Sequence, residues 1–366
     1  MMSLRLYGRV MLECDEMGSL NVGIIGMGKM GILHAGILAA LDGVKVKAVA
    51  EKDDTIRNYL KGILHDMNVY DDYSKMLSQE DLDLVYITTP VSLHARMVND
   101  CIRHGINFFV EKPLASNMQE CIEICRLVGG IINAVGFSKR FTDTFARARE
   151  IIVSNVLGEL IYVKGTMYLT QVFASGKGWR FKRSESGGGV LLELASHLVD
   201  MLLWYFGDVM SVASITRGYY SSEVEDFAHA MLRFKNGLTG YLDASWSVRN
   251  YRLPEMSIEV HGSNGTMLVN DDYIRITLDD ASKAVDGLGI REGITTIYKQ
   301  DLFKGVSIDI GGVEYTREDM HVVECVKEGR QSMINVFEAA KVQAVIDAIY
   351  NSAKNNSWLE VDYYNG

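Results

Sequence analysis

Residues 20–31 read LNVGIIGMGKMG, and this stretch decides the fold. The apolar run at 22–25 is short enough for a buried parallel strand, and the glycines after it open a helix. The spacing of Gly26, Gly28 and Gly31 is typical of a dinucleotide-binding turn. The first glycine permits a tight turn, the second leaves room for a pyrophosphate, and the third lets the helix pack close to the strand. Ordinary strands also end in glycine-rich turns, so the motif needs support from its surroundings.

That support comes from the helix start and from the next strand. Lys29 and Met30 would present free N–H groups and the positive end of the helix dipole to the phosphates. A second strand-like run at 44–50 ends in Glu51, about twenty residues after the last glycine. An acidic side chain there accepts hydrogen bonds from both adenosine ribose hydroxyls and repels a 2′-phosphate. Glu51 therefore favours NAD, whereas the adjacent Lys52 could tolerate the phosphate of NADP.

Length and charge limit the class of protein. The chain has 366 residues, which is too long for one ordinary core and indicates two domains. An apolar content of 48% supports large cores, and no apolar run is long enough to span a bilayer. The net charge of −10 argues against nucleic acid or a membrane as the main partner. The charged N-terminal residues do not form a secretory signal, so we expect a cytoplasmic protein.

Most cysteines and histidines lack a setting that indicates chemistry. The five cysteines form no CxxC pair, so we expect buried thiols in a reducing cytosol and no metal site. We expect five histidines to pack in the core or to lie on the surface: His34, His104, His229, His261 and His321.

From residue 20 to about 137 the pattern alternates strand and helix, which predicts a parallel sheet with helices on both faces. Ligands of such sheets bind at the carboxyl ends of the strands. Two predicted strands, 82–87 and 107–110, end at that edge in short motifs that contain proline. The residues of these motifs are Thr88, Thr89, Pro90, Glu111, Lys112 and Pro113. His94 begins the helix after the first motif.

Beyond residue 137 long runs of two-residue alternation predict a mostly antiparallel sheet. The runs cover 161–169, 210–219, 227–234, 238–248, 256–261 and 266–269. The remaining segments are a helix at 190–205, closing helices at 320–328 and 336–353, and an unassigned stretch at 281–315. We therefore predict an α/β protein with three parts: an arm (1–19), a nucleotide-binding domain (20–138) and a second α/β domain (139–366).

The predicted helix at 190–205 carries Glu193, His197 and Asp200 at spacings that place them on one face. Its other positions are largely apolar, and burying an unpaired ionisable group costs about 1–3 kcal/mol or more. Histidine is the natural acid/base group near neutral pH, and Glu193 could orient it or bind a substrate hydroxyl. A self-contained Glu–His pair in the core is the simpler alternative. A metal site is disfavoured because no His/Cys cluster accompanies the helix.

Other polar residues could contact a substrate. Lys112 at the ligand edge can donate to a substrate oxygen or help move its proton, unless it is only a solvated lysine at a strand end. Trp179 and Arg180 suit a sugar face and an anionic or polyhydroxyl group, or else form a surface stack. Lys182 and Arg183 could hold a phosphate.

Five motifs in this order resemble the glucose-fructose oxidoreductase / inositol dehydrogenase / rhizopine-catabolism (GFO/IDH/MocA) family. They are GMGKMG at 26–31, ITTPVSLH at 87–94, VEKPLA at 110–115, GWR at 178–180 and GGGVLLELASHLVD at 187–200. The resemblance is specific from about residue 20 to 205 and looser beyond. It implies a Rossmann domain with a doubly wound parallel sheet, followed by an α/β domain with a large, open, mostly antiparallel sheet. The exposed face of that second sheet commonly forms a dimer or tetramer interface.

The resemblance also implies NAD(P)-dependent hydride transfer at a ring hydroxyl or ketone of a sugar or cyclitol. Lys112 matches the catalytic lysine of the family and His197 the catalytic histidine, with Glu193 where many members carry aspartate. Under this hypothesis His197 removes a proton from a ring hydroxyl, and Lys112 hydrogen-bonds the same oxygen. The expected substrate site is Lys112, Trp179, Arg180, Glu193 and His197. The expected cofactor site is Gly26, Gly28, Lys29, Met30, Gly31, Glu51, Thr88, Thr89, Pro90, His94, Glu111 and Lys112.

Three alternatives stay open at this level. The substrate could be a UDP-sugar or another nucleotide-sugar, a phosphosugar or a non-sugar ketone. A non-catalytic regulator that senses NAD(P) or sugar is disfavoured because Lys112 and His197 are both retained. An enzyme that recycles one tightly held cofactor between two sugars would fit the same motifs.

Overall fold

The computed structural model describes residues 19–63, 67–174, 176, 178–280 and 289–364. The predicted arm lies outside the described residues apart from its last position, and so does the first part, 281–288, of the unassigned stretch. Two sheets organise the described chain, and helices pack against both. The α/β class predicted from the sequence is confirmed.

The first sheet lies in the N-terminal half. Its strands are β1 Leu20–Ile25, β2 Val44–Ala50, β3 Asn68–Tyr70, β4 Leu84–Ile87, β5 Asn107–Val110 and β6 Asn133–Val135. Its helices are α1 Lys29–Ala39, α2 Asp54–Ile63, α3 Tyr73–Gln79, α4 His94–Arg103 and α5 Met118–Leu127, with a 3-10 turn at Val91–Leu93. Within the described ranges the six strands are parallel and follow the order β3-β2-β1-β4-β5-β6. This is the doubly wound order of a Rossmann fold.

The order of the strands positions a crevice at the ligand edge. Strand β4 is buried at every position and β1 nearly so, which is why both read as continuous apolar runs. The chain order reverses between these two neighbouring strands. At such a switch point the carboxyl ends of the strands leave room for a ligand, here between residues 26–31 and 88–90.

The second sheet occupies the C-terminal half. Its strands are β7 Leu160–Tyr168, β8 Val209–Arg217, β9 Phe227–Phe234, β10 Thr239–Ser245, β11 Glu255–Gly262, β12 Gly265–Asn270, β13 Tyr273–Leu278, β14 Gly293–Tyr298 and β15 Leu359–Glu360. In the part of the chain that is described, nine strands follow the order β14-β13-β12-β11-β7-β10-β9-β8-β15, and β7 pairs with β10 in parallel. The mostly antiparallel sheet is confirmed. Edge strand β14 has no buried face, so its sequence shows no two-residue period.

The remaining helices follow β6 in the chain. They are α6 Asp143–Val153, α7 Arg183–Ser186, α8 Val190–Glu193, α9 Ser196–Phe206, α10 Lys299–Leu302, α11 Val313–Glu328 and α12 Val336–Asn355, with 3-10 turns at Ser138–Phe141 and Trp179–Phe181. Before α12 the chain returns to the first sheet, where Val135 N–H donates to the Ile334 carbonyl at 2.7 Å. Helix α12 also lies on the second sheet, where Ser214 N–H donates to Ser352 Oγ at 3.0 Å. The division at residue 138 stays a prediction.

The single helix predicted at 190–205 is wrong, because the structure breaks it after Glu193. The segment Arg183–Glu193 and helix α9 meet at an angle of 48°. The Glu225 carboxylate accepts hydrogen bonds from Gly189 N–H at 2.9 Å and Leu191 N–H at 3.0 Å. A Cβ at Gly189 would lie 2.0 Å from the Glu225 carbonyl oxygen. This tertiary contact sets the direction of α8 independently of α9.

The break separates the three polar residues that were predicted on one helix face. Asp200 is fully buried and binds Arg140, with Nε–Oδ2 at 2.9 Å and Nη2–Oδ1 at 2.7 Å. Burial raises the pKa of Asp200, although Arg140 opposes the shift. Arg140 also donates to the Met333 carbonyl at 2.8 Å. Asp200 therefore belongs to a buried ion pair in the core and not to a stripe with Glu193 and His197.

Among the described residues no single helix is long and apolar enough to cross a membrane. The bent pair Arg183–Glu193 and Ser196–Phe206 reaches the required length and composition only when it is taken together. Most residues of α9 are buried inside the protein. This burial explains its apolar composition.

Replacing Asp200 with alanine would leave the buried Arg140 guanidinium without its main carboxylate partner. We expect Asp200→Ala to lower the free energy of unfolding by about 3–5 kcal/mol, as for other buried ion pairs broken from one side. Urea unfolding followed by circular dichroism measures the loss. Lys75→Ala, which breaks the exposed pair with Asp71, is the control and should change stability by less than about 0.5 kcal/mol. Equally small losses in both variants would contradict the structural role of Asp200.

Candidate active site

The turn after β1 is closed by contacts that only glycine permits. Gly26 has a φ of +90°, in the left-handed region. A Cβ at Gly31 would lie 2.0 Å from the Gly26 carbonyl oxygen, so the first turn of α1 packs directly on the end of β1. The Thr88 hydroxyl donates to the same oxygen at 2.6 Å. The glycine turn and the loop after β4 are thereby held together.

The space beside this turn suits a dinucleotide. A Cβ built at Gly28 meets no heavy atom within 4 Å, so the turn is open where a pyrophosphate would approach. Helix α1 begins there without a side-chain cap and without an acidic residue in its first turn. Its first N–H groups, including those of Lys29 and Met30, can therefore face an anion, and the helix dipole adds to the attraction.

Glu51 lies beside the same turn. Its Oε2 accepts a hydrogen bond from Met27 N–H at 2.6 Å, and its Oε1 accepts one from Asp53 N–H at 2.8 Å. Each carboxylate oxygen keeps a second lone pair for a ribose hydroxyl. The nearby Arg57 donates to the Glu51 carbonyl at 2.8 Å and forms an ion pair with Asp54. The carboxylate is thus fixed beside the glycine turn, and its contact with the adenosine ribose stays a prediction.

His94 links the two motifs at the strand ends. Its Nδ1 lies 2.8 Å from the Pro113 carbonyl oxygen, and its Nε2 lies 2.8 Å from the Thr89 carbonyl oxygen. The ring is buried, and burial lowers the pKa of His94. His94 therefore positions the Thr88, Thr89 and Pro90 loop against Pro113, whose peptide bond is cis. The cofactor contact predicted for this side chain stays a prediction.

The carboxylate of Glu111 is directed into the protein. Its Oε1 lies 3.2 Å from His34 Nε2, and its Oε2 accepts a hydrogen bond from Lys112 N–H at 3.1 Å. His34 is fully buried and lies 2.9 Å from Asp319 Oδ1. The prediction that His34 would only pack or lie on the surface is incomplete, because it is an ion-paired residue of the core.

Lys112 and Glu193 meet although they come from opposite halves of the chain. The Lys112 ammonium donates to the Glu193 carbonyl oxygen and lies 3.6 Å from Oε2 of its carboxylate. Glu193 Oε1 accepts a hydrogen bond from Arg180 Nε at 2.9 Å. Burial alone would raise the pKa of Glu193, but Lys112 and Arg180 outweigh it and hold that pKa below its usual value. The site therefore keeps an ionised carboxylate between two cations.

His197 lies near the start of α9 and is available for proton transfer. Its ring packs edge-on to Phe137, with the ring centroids 6.2 Å apart. Its Nδ1 is buried and has no hydrogen-bond partner among the described residues. Burial lowers the pKa of His197 well below its usual value, and the charges of Lys112 and Lys139 lower it further. The imidazole is therefore neutral at pH 7 and can accept a proton.

The predicted Glu193–His197 contact differs in the structure, and the substrate contact predicted for Trp179 stays a prediction. The Glu193 carboxylate contacts Lys112 and Arg180, so it does not orient His197 as one reading of the sequence suggested. Trp179 begins the 3-10 turn Trp179–Phe181, and its side chain lies outside what the structure describes. The two carboxylates predicted near His197, those of Glu193 and Asp200, each bind an arginine instead.

Lys139 is a second cation that acts on His197, and the sequence did not single it out. It follows β6 at the ligand edge, and its ammonium forms an ion pair with Asp271 between β12 and β13. Its charge acts on His197. The sequence pattern that pointed to Lys112 also applies to Lys139, because both lysines follow a predicted strand at the carboxyl edge of the sheet.

A small cleft adjoins these groups. It is lined by Thr89, Val91, His94, Lys112, Pro113, Ser186, Leu192 and Glu193. No group of three or more His, Cys, Asp or Glu side chains that could hold a metal ion occurs among the described residues. A neutral imidazole and a lysine ammonium beside a nucleotide cradle can remove a proton from a hydroxyl and stabilise the oxygen that remains.

Two family profiles match the chain. Residues 20–130 match an oxidoreductase family with an NAD-binding Rossmann fold, and residues 145–268 match the GFO/IDH/MocA C-terminal domain. The two matched segments together cover more than half of the chain.

Characterised relatives match over nearly the whole length. Levoglucosan dehydrogenase of Pseudarthrobacter phenanthrenivorans is 26% identical, over 94% of this chain and 99% of the relative. The NAD-dependent scyllo-inositol 2-dehydrogenase of Bacillus subtilis is 25% identical, over 93% and 95%. A structure of levoglucosan dehydrogenase with NADH and L-sorbose superposes with a TM-score of 0.84 and 26% identity, over 95% of this chain and 100% of that one.

The glycine turn predicts two opposite outcomes for the same change. Gly28→Ala adds a methyl group to open space, so we expect normal folding stability but at least about tenfold weaker NADH binding, since the methyl group occupies the pyrophosphate approach. Gly31→Ala forces a clash with the Gly26 carbonyl oxygen, so we expect loss of folding stability. Thermal unfolding and NADH fluorescence titration measure the two effects. Unchanged NADH affinity in Gly28→Ala would exclude this turn as the phosphate site.

Proposed function

The chain belongs to the GFO/IDH/MocA family of oxidoreductases, and on that premise we propose that it is an NAD-dependent dehydrogenase of a sugar, anhydrosugar or cyclitol. The observation that carries the proposal is the contact between Lys112 and Glu193 at the carboxyl edge of the Rossmann sheet, close enough to His197 for the charge of Lys112 to lower the pKa of that imidazole. Relatives of nearly full length oxidise levoglucosan and scyllo-inositol, as their names state. Both named substrates are small rings with adjacent hydroxyl groups.

In the proposed reaction each residue of the chain has a separate task. The neutral His197 accepts the proton of the reacting ring hydroxyl. The Lys112 ammonium donates a hydrogen bond to the same oxygen and stabilises the negative charge that develops there. Glu193 holds Lys112 through its main-chain and side-chain oxygens. NAD, when bound, supplies the hydride-accepting chemistry.

The proposed cofactor site consists of the glycine turn, Glu51 and the loop after β4. Gly26, Gly28, Gly31 and the start of α1 would hold the pyrophosphate. Glu51 would accept hydrogen bonds from the adenosine ribose and would repel a 2′-phosphate, so NADH should bind more tightly than NADPH.

The position of Arg180 favours a polyhydroxylated substrate over other substrate classes. Its side chain is 53% exposed and reaches the Glu193 carboxylate from the solvent side of the site. A guanidinium and a carboxylate side by side can donate to and accept from neighbouring hydroxyls of one ring. Lys182 forms an ion pair with Glu185, which weakens the case for a phosphosugar.

We also propose a homodimer or homotetramer that forms through the open face of the second sheet. Neighbouring strands present Ile215, Met231 and Tyr241 outward, with 57%, 40% and 42% of each side chain exposed. Met231 and Tyr241 are direct cross-strand partners. An apolar strip of this kind on a sheet face favours packing against a second copy of the same surface.

The four described free cysteines are all buried, which supports a reducing, cytoplasmic location.

The catalytic assignment is tested by removing the two central groups. We expect Lys112→Ala and His197→Ala each to lower kcat/KM by about 10²–10⁴ while NADH binding changes little. A screen of sugars, anhydrosugars, inositols and UDP-sugars for NADH formation first identifies the substrate. Exposed residues give matched controls, Lys75→Ala and His104→Ala, which should keep wild-type rates.

The same screen separates the competing functions. Near-normal turnover by Lys112→Ala would remove this lysine from the mechanism. Activity only with UDP-sugars would shift the substrate class, and a protein that binds NADH but reduces no NAD with any polyol would be a sensor. Tighter binding of NADPH than NADH would contradict the role of Glu51.

Introducing a charged side chain into the apolar strip tests the proposed interface. Met231→Glu places a carboxylate in the middle of the apolar strip, so we expect dissociation to monomers. Light scattering after size-exclusion chromatography measures the mass. Lys45→Glu, an exposed position on β2 of the other sheet, should leave the mass unchanged. A wild-type monomer, or a Met231→Glu oligomer of wild-type mass, would contradict the proposal.

A further inference from the structure

A buried ion cluster lies directly behind the catalytic lysine, and the proposed mechanism does not use it. The cluster consists of His34, Glu111, Glu318 and Asp319. Three of these side chains are fully buried, and Glu111 is 13% exposed. Buried groups of this kind are expensive unless they are paired. Their presence beside the candidate active site points to a role for them.

His34 lies at the centre of the cluster and contacts a carboxylate with each ring nitrogen. Nδ1 lies 2.9 Å from Oδ1 and 3.0 Å from Oδ2 of Asp319, and Nε2 lies 3.2 Å from Oε1 of Glu111. A neutral imidazole can donate to only one partner, whereas the imidazolium donates to both. Burial alone would lower the pKa of His34, but Asp319 and Glu111 outweigh it and raise that pKa well above its usual value. His34 is therefore a buried cation.

Glu318 is the fourth side chain of the cluster, and its full burial disfavours a negative charge on it. Neither of its carboxylate oxygens has a hydrogen-bond partner among the described residues. Burial and the charge of Glu111 raise the pKa of Glu318 well above its usual value. A further negative charge is therefore disfavoured in the cluster, where one imidazole contacts the carboxyl groups of Asp319 and Glu111.

The second oxygen of Glu111 connects the cluster to the active site. Glu111 Oε2 accepts a hydrogen bond from Lys112 N–H at 3.1 Å. A Cβ at Gly136 would lie 3.0 Å from this oxygen, so the glycine leaves space for the carboxylate at this position. The connection runs from α11 through Asp319, His34 on α1 and Glu111 to the backbone that carries the Lys112 side chain.

We propose that His34 is a positioning residue for the reaction, which holds Glu111 so that its carboxylate fixes the backbone of Lys112. The contact between His34 Nε2 and Glu111 holds the Glu111 carboxylate in place, and the contact between His34 Nδ1 and Asp319 anchors the imidazole to α11. The inference rests on the proposed catalytic function of Lys112. A displacement of about 1 Å at a reacting group can cost on the order of 10²-fold in rate.

Two nearly isosteric substitutions separate positioning from a purely structural role. The amide nitrogen of glutamine lies near the place of histidine Nε2, and that of asparagine lies near the place of Nδ1. His34→Gln can therefore keep the contact with Glu111, whereas His34→Asn can keep only the contact with Asp319. Both variants remove the positive charge, so both should lose similar thermal stability.

The measurement is kcat of the folded protein, with the dissociation constant of NADH as a second readout. We expect His34→Gln to keep kcat within about threefold of wild type and His34→Asn to lose about 10–100-fold. The NADH dissociation constant should change by less than about threefold in both, because the glycine turn is untouched. Equal kcat values in the two variants, whether near wild type or far below it, would overturn the proposal.

A readout without turnover distinguishes failure of this inference from failure of the proposed function. Reductive methylation with ¹³C-formaldehyde labels the lysines, and Lys112→Arg identifies the NMR signal of Lys112. That signal should shift in His34→Asn and stay in place in His34→Gln, while the signal of the distant Lys75 stays in both. If no sugar supports NAD reduction, the proposed function fails, and the NMR comparison still decides whether His34 positions Lys112. An unmoved Lys112 signal in His34→Asn would refute the inference.

Discussion

The structure depends on one close main-chain approach, between the first turn of α1 and the end of β1. Gly31 lies so near the Gly26 carbonyl oxygen that a Cβ would be 2.0 Å away. The Thr88 hydroxyl binds the same oxygen at 2.6 Å, so two strands and one helix meet at a single acceptor. This contact brings the loop after β4 to the nucleotide cradle. His94 then holds the loop after β5 against it, and that loop carries Lys112.

The charged groups around this edge show that burial alone does not decide ionisation. Glu193 is mostly buried, yet its pKa falls because two cations, Lys112 and Arg180, act on it together. Asp200 is also buried and has an arginine partner, yet its pKa rises because burial outweighs the single guanidinium, which it shares with Glu338. Desolvation and Coulomb attraction each contribute several kcal/mol in such sites. The number and geometry of the charged partners therefore decide whether the pKa of a buried carboxyl group rises or falls. His197 is acted on by the charges of Lys112 and Lys139, which lower its pKa in the same direction as burial.

Much of the fold and part of the site followed from local pattern. Strand β4 is buried at every position and therefore reads as an unbroken apolar run, and β9 alternates because only one face is covered. Helix 190–205 was predicted wrongly, because its apolar period runs through the break. The break depends on the packing of Gly189 against Glu225, a residue 36 positions away in sequence. His34 was underestimated for the same reason, since its partners Glu111 and Asp319 come from distant segments.

The sequence by itself determined the nucleotide turn, the alternation of strands and helices and the residue types at the ligand edge. These features are local, because a glycine spacing or an apolar period reports the conformation of its own neighbourhood. Only the tertiary structure decided which charged groups are partners. In the folded protein Glu193 lies between Lys112 and Arg180. Asp200 pairs with Arg140, and His34 lies between Glu111 and Asp319. The physical reason is that an ion pair needs atoms within about 4 Å, a distance that only the packing of the whole chain can set.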